Sequence, residues 1–295
     1  MRHPLGKIKH TASIDMKNHF VFSYAGNKRQ EVEGLYKHLL LDEIDTIVEP
    51  FMGTAAMSYY ISTQHPLRYR YILSDIDPML VALYRAMMDP VLADQLNQEV
   101  NAMIDEFNAY TSDAPRKIWY TAQSKQNTLA SYVFSHKYHS IRCGLYPMMN
   151  RLRQIAPFDL TTAPIYQFLT TENVTLMEQD AIEAIKSHRD EPRTLLLLDP
   201  PYISTCNDFY SSERNMNIYE WLLRNNINNM PARVNLILEN IWINRLLFQN
   251  NKIHDPYAKQ YTISGKKTEH IVIGQCYDSC SKSICPVAKS TLLSI

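Results

Sequence analysis

The chain has 295 residues, 45% hydrophobic and 20% charged, a balance that excludes a disordered, collagen-like or coiled-coil protein. Thirty basic residues against thirty acidic ones leave no net charge, so the overall balance points to no polyanion, although a local basic groove fits on a neutral protein. Five cysteines in this length make no disulfide framework and suit a reducing compartment. In chain order, Met1–Lys17 is polar and basic, without the apolar run of a signal peptide. Ile44–Phe51 predicts a buried strand ending in a tight turn, and Ala55–Ser62 a helix after it. Tyr69–Leu73 predicts a second strand and Pro78–Met88 a second helix with apolar residues at helical spacing. Strand, helix, strand, helix is the pattern of a parallel sheet with crossover helices.

A long stretch, Val91–Glu172, then interrupts the alternation and reads as mostly helical and polar, with an amphipathic helix over Asn97–Tyr110. Within it, Arg116–Arg153 interleaves cations with aromatic rings, among them Trp119, Tyr120, Lys137, Tyr138, Arg142 and Arg151. A helical lid with a solvated face has this composition. So does a surface for a polyanion, because phosphates attract cations and bases stack on rings. The sheet pattern resumes with a strand at Val174–Met177, a helix at Ala181–Lys186 and a strand at Thr194–Leu198. Late strands follow at Val234–Leu238 and Ile271–Gln275. Thr194–Leu198 is the most apolar run, far short of the ~20 residues of a membrane span. A soluble intracellular protein with no membrane partner is expected.

Asp199-Pro200-Pro201-Tyr202 follows that apolar strand directly. Open α/β sheets place their sites at the carboxyl ends of strands. Two prolines fix two φ angles and remove two N–H donors, so the carbonyls of the turn are held rigidly. A carboxylate, an aimed carbonyl and an aromatic face suit a flat ring bearing an amino group. A rigid strand-to-loop turn without further role has the same sequence.

Asp199–Tyr202 resembles the catalytic motif of methyltransferases that use S-adenosylmethionine to methylate amino groups of nucleobases. The order of the other motifs is similar to the Dam-like adenine-specific DNA methyltransferases of bacteria, phages and large DNA viruses. Phe22-Ser23-Tyr24-Ala25-Gly26-Asn27-Lys28 resembles the N-terminal cofactor motif of that family. Glu49-Pro50-Phe51-Met52-Gly53-Thr54-Ala55 resembles its acidic cofactor loop, and Ser74-Asp75-Ile76-Asp77 its ribose-binding segment. Asp180 stands where the family has an acid contacting the cofactor adenine, and Thr268–Ile273 resembles its final strand. The resemblance spans roughly residues 20 to 275. Ala55 replaces the second glycine common in the loop, Asp77 stands where Asn is common, and Ala181 where Phe often follows the acid. The segments with which GATC-reading members recognise DNA have no counterpart here.

The resemblance implies an α/β fold: a Rossmann-like methyltransferase sheet with an inserted, mainly helical target-recognition domain. The catalytic domain is expected to be discontinuous, over 18–90 and 173–276, with the insertion over 91–172 and a C-terminal tail over 277–295. It implies a site-specific enzyme that methylates the exocyclic N6 of a flipped adenine in double-stranded DNA, with Asp199, Pro200 and Tyr202 catalytic. The cofactor residues implied are Tyr24, Gly26, Asn27, Lys28, Glu49, Phe51, Gly53, Asp75, Asp180 and Asp199. The setting implied is a prokaryotic cytoplasm, or the cytoplasm or nucleus of a eukaryote for a viral protein.

The residues carry readings of their own. An acidic turn at Glu49 suits a cationic sulfonium better than a phosphate, and small residues let backbone approach a ligand. Asp75 at a strand end suits two ribose hydroxyls. Lys28 suits either the methionine carboxylate or an acidic loop residue. As isolated residues, Glu49 and Asp75 also read as helix-capping acids. In the insertion, Lys137 is expected on a phosphate and Arg142 on a base edge, with Arg151 a third DNA-binding cation. Cys276, Cys280, Cys285 and His270 lack the paired spacing of a zinc site, so no metal is expected. Two rivals share these features: an RNA or protein-amide methyltransferase of the same fold, and a silent DNA- or cofactor-binding subunit.

Overall fold

Two Asp-Pro pairs set the helical frame. The Asp77 carboxylate accepts from the N–H groups of Met79 and Leu80 and starts α3, Pro78–Met88, while Asp89 caps Val91 and Leu92 and starts α4, Pro90–Ala109. Each places a capping acid before a proline at the first helical position, where the missing N–H costs nothing. The computed structural model describes residues 16–24, 27–37, 39, 41–140, 146–147, 154–200, 221, 232–238, 257–263 and 266–274. Ahead of α3 come α1 (Val32–Tyr36), β1 (Thr46–Glu49), α2 (Ala56–Gln64) and β2 (Arg70–Asp75). After α4 follow α5 (Asp113–Gln123), α6 (Leu129–Lys137), a small hairpin of β3 (His139–Ser140) and β4 (Tyr146–Pro147), and α7 (Ile165–Leu169). Then come β5 (Val174–Glu178), α8 (Ala181–His188), β6 (Thr194–Leu198), β7 (Arg233–Leu238), β8 (Tyr257–Ile263) and β9 (Lys266–Gly274).

The seven-stranded sheet has the order β5-β2-β1-β6-β7-β9-β8. The first five of these strands pair in parallel, while β9 runs antiparallel to both β7 and β8. β1 and β6 are buried along their whole length, as near-continuous apolar runs in the middle of a parallel sheet must be. This is the expected α/β methyltransferase-type sheet, with its parallel centre and crossover helices. β1 is shorter than the Ile44–Phe51 expected, because Pro50 has no N–H to continue the ladder. β8 was not foreseen. No helix among the described residues is long and apolar enough to cross a membrane.

The stretch 91–172 leaves after α3 and returns at β5, which pairs with β2. It packs into the same core as the sheet: Val100, Ile104, Phe107, Trp119 and Phe134 join Leu80, Leu83, Met87 and Ile47 in one buried cluster. One face of α4 also carries three asparagines that pair with an extended backbone. Asn101 accepts from Phe158 N–H at 2.7 Å and donates to Phe158 C=O at 2.8 Å. Asn108 does the same to Ile155 at 2.8 and 2.9 Å, and Asn97 accepts from Leu160 N–H at 2.8 Å. These amides satisfy backbone groups that no strand reaches. The expected tail, 277–295, lies outside the described residues.

Candidate active site

The chain steps outward from β1 to β2 to β5 and then returns to β6 on the other side of β1. The strand order reverses between β1 and β6, and at such a point open α/β sheets bind ligands in a crevice at the carboxyl ends of the strands. Asp199 and Pro200 end β6 there, Glu49 ends β1, and Asp75 ends β2.

The turn after β1 is pinned at Gly53. Its φ is +45°, while the nearest side chain to an added Cβ is Tyr24 at 3.5 Å, so the backbone angle rather than crowding calls for glycine. Gly53 N–H donates to Asp75 Oδ2 at 3.1 Å, and Gly53 C=O accepts from the buried Tyr84 hydroxyl at 2.9 Å. Ala55, with φ 46° and ψ 33°, adopts the left-handed conformation that the glycine expected there would take freely. Such a conformation costs a residue with a Cβ about 1–2 kcal/mol. The Ala55 methyl is fully buried, and its packing offsets that cost.

Asp75 receives a second bond, from Asp77 N–H to Oδ1 at 3.1 Å. A carboxylate accepts at about four sites, so the bonds from Asp77, Gly53 and Ile76 leave Asp75 room for a further donor. Burial pushes its pKa up to about 6, against the hydrogen bonds from Asp77 and Gly53. Asp77 caps α3 through Oδ1 and accepts the Tyr132 hydroxyl of α6 on Oδ2 at 3.1 Å.

Lys28 and Asp199 form an ion pair at 2.5 Å, the lysine almost fully buried. Asp199, in the turn after β6, is the acid that Lys28 meets. Glu49 lies nearby, 5% exposed, accepting from both the hydroxyl and the N–H of Ser58 in α2. Burial pushes its pKa up to about 8; the Ser58 hydrogen bonds and the Lys28 charge pull the other way, and the Asp199 charge adds to the rise. Its hydrogen bonds therefore hold the start of α2.

Asn27 closes the Tyr24 turn: its N–H reaches Tyr24 C=O at 3.2 Å and its Oδ1 accepts from Arg29 N–H at 2.9 Å. The Asn27 Nδ2 is a buried donor without a hydrogen-bond partner. Phe51 is half-buried on the same turn. Asp180 caps α8 through Ile182 N–H at 2.9 Å, and Gln179 N–H donates to Asp75 C=O at 3.1 Å, which brings the ends of β5 and β2 together. An unpaired amide donor, an acid with spare lone pairs and a second acid on the next strand make a donor and acceptor set that fits the ammonium, carboxylate and ribose of S-adenosylmethionine. Among the described residues, no group of three or more His, Cys, Asp or Glu is placed to hold a metal ion.

Lys137 ends α6 with its ammonium 2.8 Å from Val21 C=O and 5.2 Å over the Phe158 ring, and burial lowers its pKa. It borders a cavity of about 310 Å³ shared with Phe20, Phe22, Arg29, Asp159 and Thr162. Gly26, Tyr202, Arg142 and Arg151 lie outside the described residues. Sequence reasoning missed the roles of Ser58 and Tyr132. Nothing in the spacing of either one signals its partner, because each meets an acid on a different element.

Comparison with known proteins agrees with this arrangement. Over 200 residues the chain is 24% identical to the Type II methyltransferase M.MjaIII of Methanocaldococcus jannaschii, covering 61% of this chain and 67% of that one. Over 203 residues it is 23% identical to the Type II methyltransferase M.CviBI of Paramecium bursaria Chlorella virus NC1A, covering 64% and 71%. The model of the D12 class N6 adenine-specific DNA methyltransferases matches residues 24–260, most of the chain and all of the crevice just described, and to that family the chain belongs.

Proposed function

We propose that this protein transfers a methyl group from S-adenosylmethionine to N6 of an adenine swung out of a DNA duplex, in the crevice between β1 and β6. The observation that carries the reading is the Lys28–Asp199 ion pair at the end of β6, in a sheet whose neighbouring strand ends carry the Gly53–Asp75 hydrogen bond. The exocyclic amine of adenine is a poor nucleophile, because its lone pair is delocalised into the ring. Asp199, held in place by Lys28, accepts from one amine N–H; the rigid Pro200 carbonyl accepts the second N–H. Held by two acceptors, the nitrogen becomes more pyramidal and more nucleophilic, and positioning supplies much of the rate. Tyr202, next in sequence, stacks on the extruded base and replaces part of the stacking lost on leaving the duplex. When bound, the cofactor supplies a methyl group on a cationic sulfur. Asp75 accepts from its ribose hydroxyls, Asp180 faces its adenine, and Tyr24, Gly26, Asn27, Glu49 and Phe51 line the rest of its site.

The segment 91–172 is the DNA-recognition unit in this reading, with Lys137, Arg142 and Arg151 as its cations. An ammonium carries three donors, so Lys137 retains two beyond the one spent on Val21. Labelled methyl transfer to unmethylated duplex DNA, with RNA and protein acceptors beside it, tests the proposal. Label recovered as N6-methyladenine from DNA alone is the expected result. Label in RNA or protein, or none anywhere, would overturn it.

A further inference from the structure

We infer that Tyr132 is a positioning residue for the cofactor pocket, through which the inserted helix α6 holds Asp77, and Asp77 holds Asp75. The inference rests on the reading above that Asp75 receives the ribose hydroxyls. It adds a part of the chain that the motifs around the pocket do not include, since Tyr132 lies 55 residues beyond its partner, in the stretch read for DNA recognition.

The geometry is a relay of single hydrogen bonds. The Tyr132 hydroxyl donates to Asp77 Oδ2 at 3.1 Å, and Asp77 N–H donates to Asp75 Oδ1 at 3.1 Å. Asp75 Oδ2 takes Gly53 N–H at 3.1 Å, and Gly53 C=O takes the Tyr84 hydroxyl at 2.9 Å. Asp77 already spends Oδ1 on two N–H groups of α3. Its second oxygen is the one that sets the rotation of the carboxylate, and Tyr132 supplies the donor for it. An aspartate with two separate acceptors answers both demands; an asparagine would present an amide N–H to one of them.

A second contact path ends at the same glycine. The Tyr132 ring lies 6.1 Å from Phe22 and 4.1 Å from His136, and Phe22 lies 6.4 Å from Tyr24. Tyr24 in turn is the side chain nearest to where a Cβ on Gly53 would stand, at 3.5 Å. Polar and aromatic contacts from α6 thus reach both sides of the turn after β1. Burial and the neighbouring Asp77 charge push the Tyr132 pKa well up, so it stays a donor throughout the working pH range.

The test is Tyr132→Phe, which keeps the ring contacts and removes only the donor. Binding of S-adenosylmethionine by calorimetry should weaken roughly tenfold, the scale of one hydrogen bond to a charged acceptor. KM for the cofactor should rise in parallel, with kcat at saturation within about twofold of the parent. Tyr120→Phe is the control. It removes a buried bond from the same insertion, Tyr120 hydroxyl to Ser135 C=O at 2.6 Å, away from the pocket. It should lower Tm and leave cofactor affinity alone. In an Asp77→Ala background, which leaves Tyr132 no acceptor at that position, Tyr132→Phe should have little further effect on affinity. Unchanged affinity in Tyr132→Phe, whatever happens to Tm, overturns the inference, as does a full effect in the Asp77→Ala background. A parent chain that binds no S-adenosylmethionine removes the cofactor reading and this inference together.

Discussion

Asp199 carries the sharpest expectation at the scale of single residues. Asp199→Ala should abolish methyl transfer to DNA while cofactor affinity, measured by calorimetry, stays within a few-fold of the parent. Near-normal turnover by this variant would remove the acid from the mechanism. Asp75 carries an expectation in pH. Its pKa is raised to about 6, so it loses its charge as pH falls through that value, and with it the better acceptor for ribose hydroxyls. Cofactor affinity should therefore be full above about pH 7 and decline below 6, and an Asp75→Asn variant should bind weakly with no such decline. A parent profile that stays flat from pH 5 to 8 would argue that Asp75 has no ligand role. Both acids were legible as strand-end carboxylates, because Asp75 closes the run of β2 and Asp199 follows the apolar run of β6. Their partners were not. Lys28 had two chemically sound destinations, and its pairing with Asp199 joins residues too far apart in sequence for any local pattern to show. Glu49 read as a cofactor-loop acid or a helix-capping one, and the N–H and hydroxyl of Ser58 tie it to the start of α2.

Among the elements, those closed by local chemistry were the legible ones. α3 was expected over Pro78–Met88 and forms over those residues, because Asp77-Pro78 marks its start within the helix itself. β6 was legible as an uninterrupted apolar run. β8 was not, since Tyr257–Ile263 has neither clean alternation nor a continuous apolar run, and its place comes from pairing with β9. The asparagine face of α4 was hidden for the same reason: its partner is the backbone near residue 158, too far away in sequence for any local pattern. That face makes a prediction of its own. Asn101→Ala removes two hydrogen bonds to Phe158 and leaves a part-buried N–H and C=O unpaired. The expected loss is about 1–3 kcal/mol of stability by chemical denaturation, with faster amide exchange over residues 155–160. Exchange unchanged in that segment would mean the amides are incidental to holding it.

For the molecule as a whole, neutrality of net charge leaves DNA affinity to local cations, and these can be separated by salt. Lys137→Ala, measured on cognate and scrambled duplexes, should weaken both alike and lower the salt slope by about one unit. Arg142→Ala should cost roughly 1–3 kcal/mol on the cognate duplex only. Arg151→Ala distinguishes the same two behaviours at a third position. If all three bind like the parent across the salt series, the 91–172 stretch is a lid and recognition lies elsewhere in the chain. The parallel pairing of the sheet was legible in its first half, where strands alternate with crossover helices. Its reversal at β9 was not, because two antiparallel strands at a sheet edge leave the same local pattern in either order.

That reversal bears on how the protein is made. β9 lies between β7 and β8, so the strand synthesised last among the described residues occupies an inner place in the sheet. A nascent chain that has emerged only as far as β8 holds Glu49, Asp75 and Asp199 on strands that can already pair, yet β7 presents a bare edge and β8 has no neighbour. Until residues 266–274 leave the ribosome, the half of the sheet carrying the site is buildable and the other half is an open template. Translation pauses before β9 therefore lengthen exposure of that edge, and pauses after it do not.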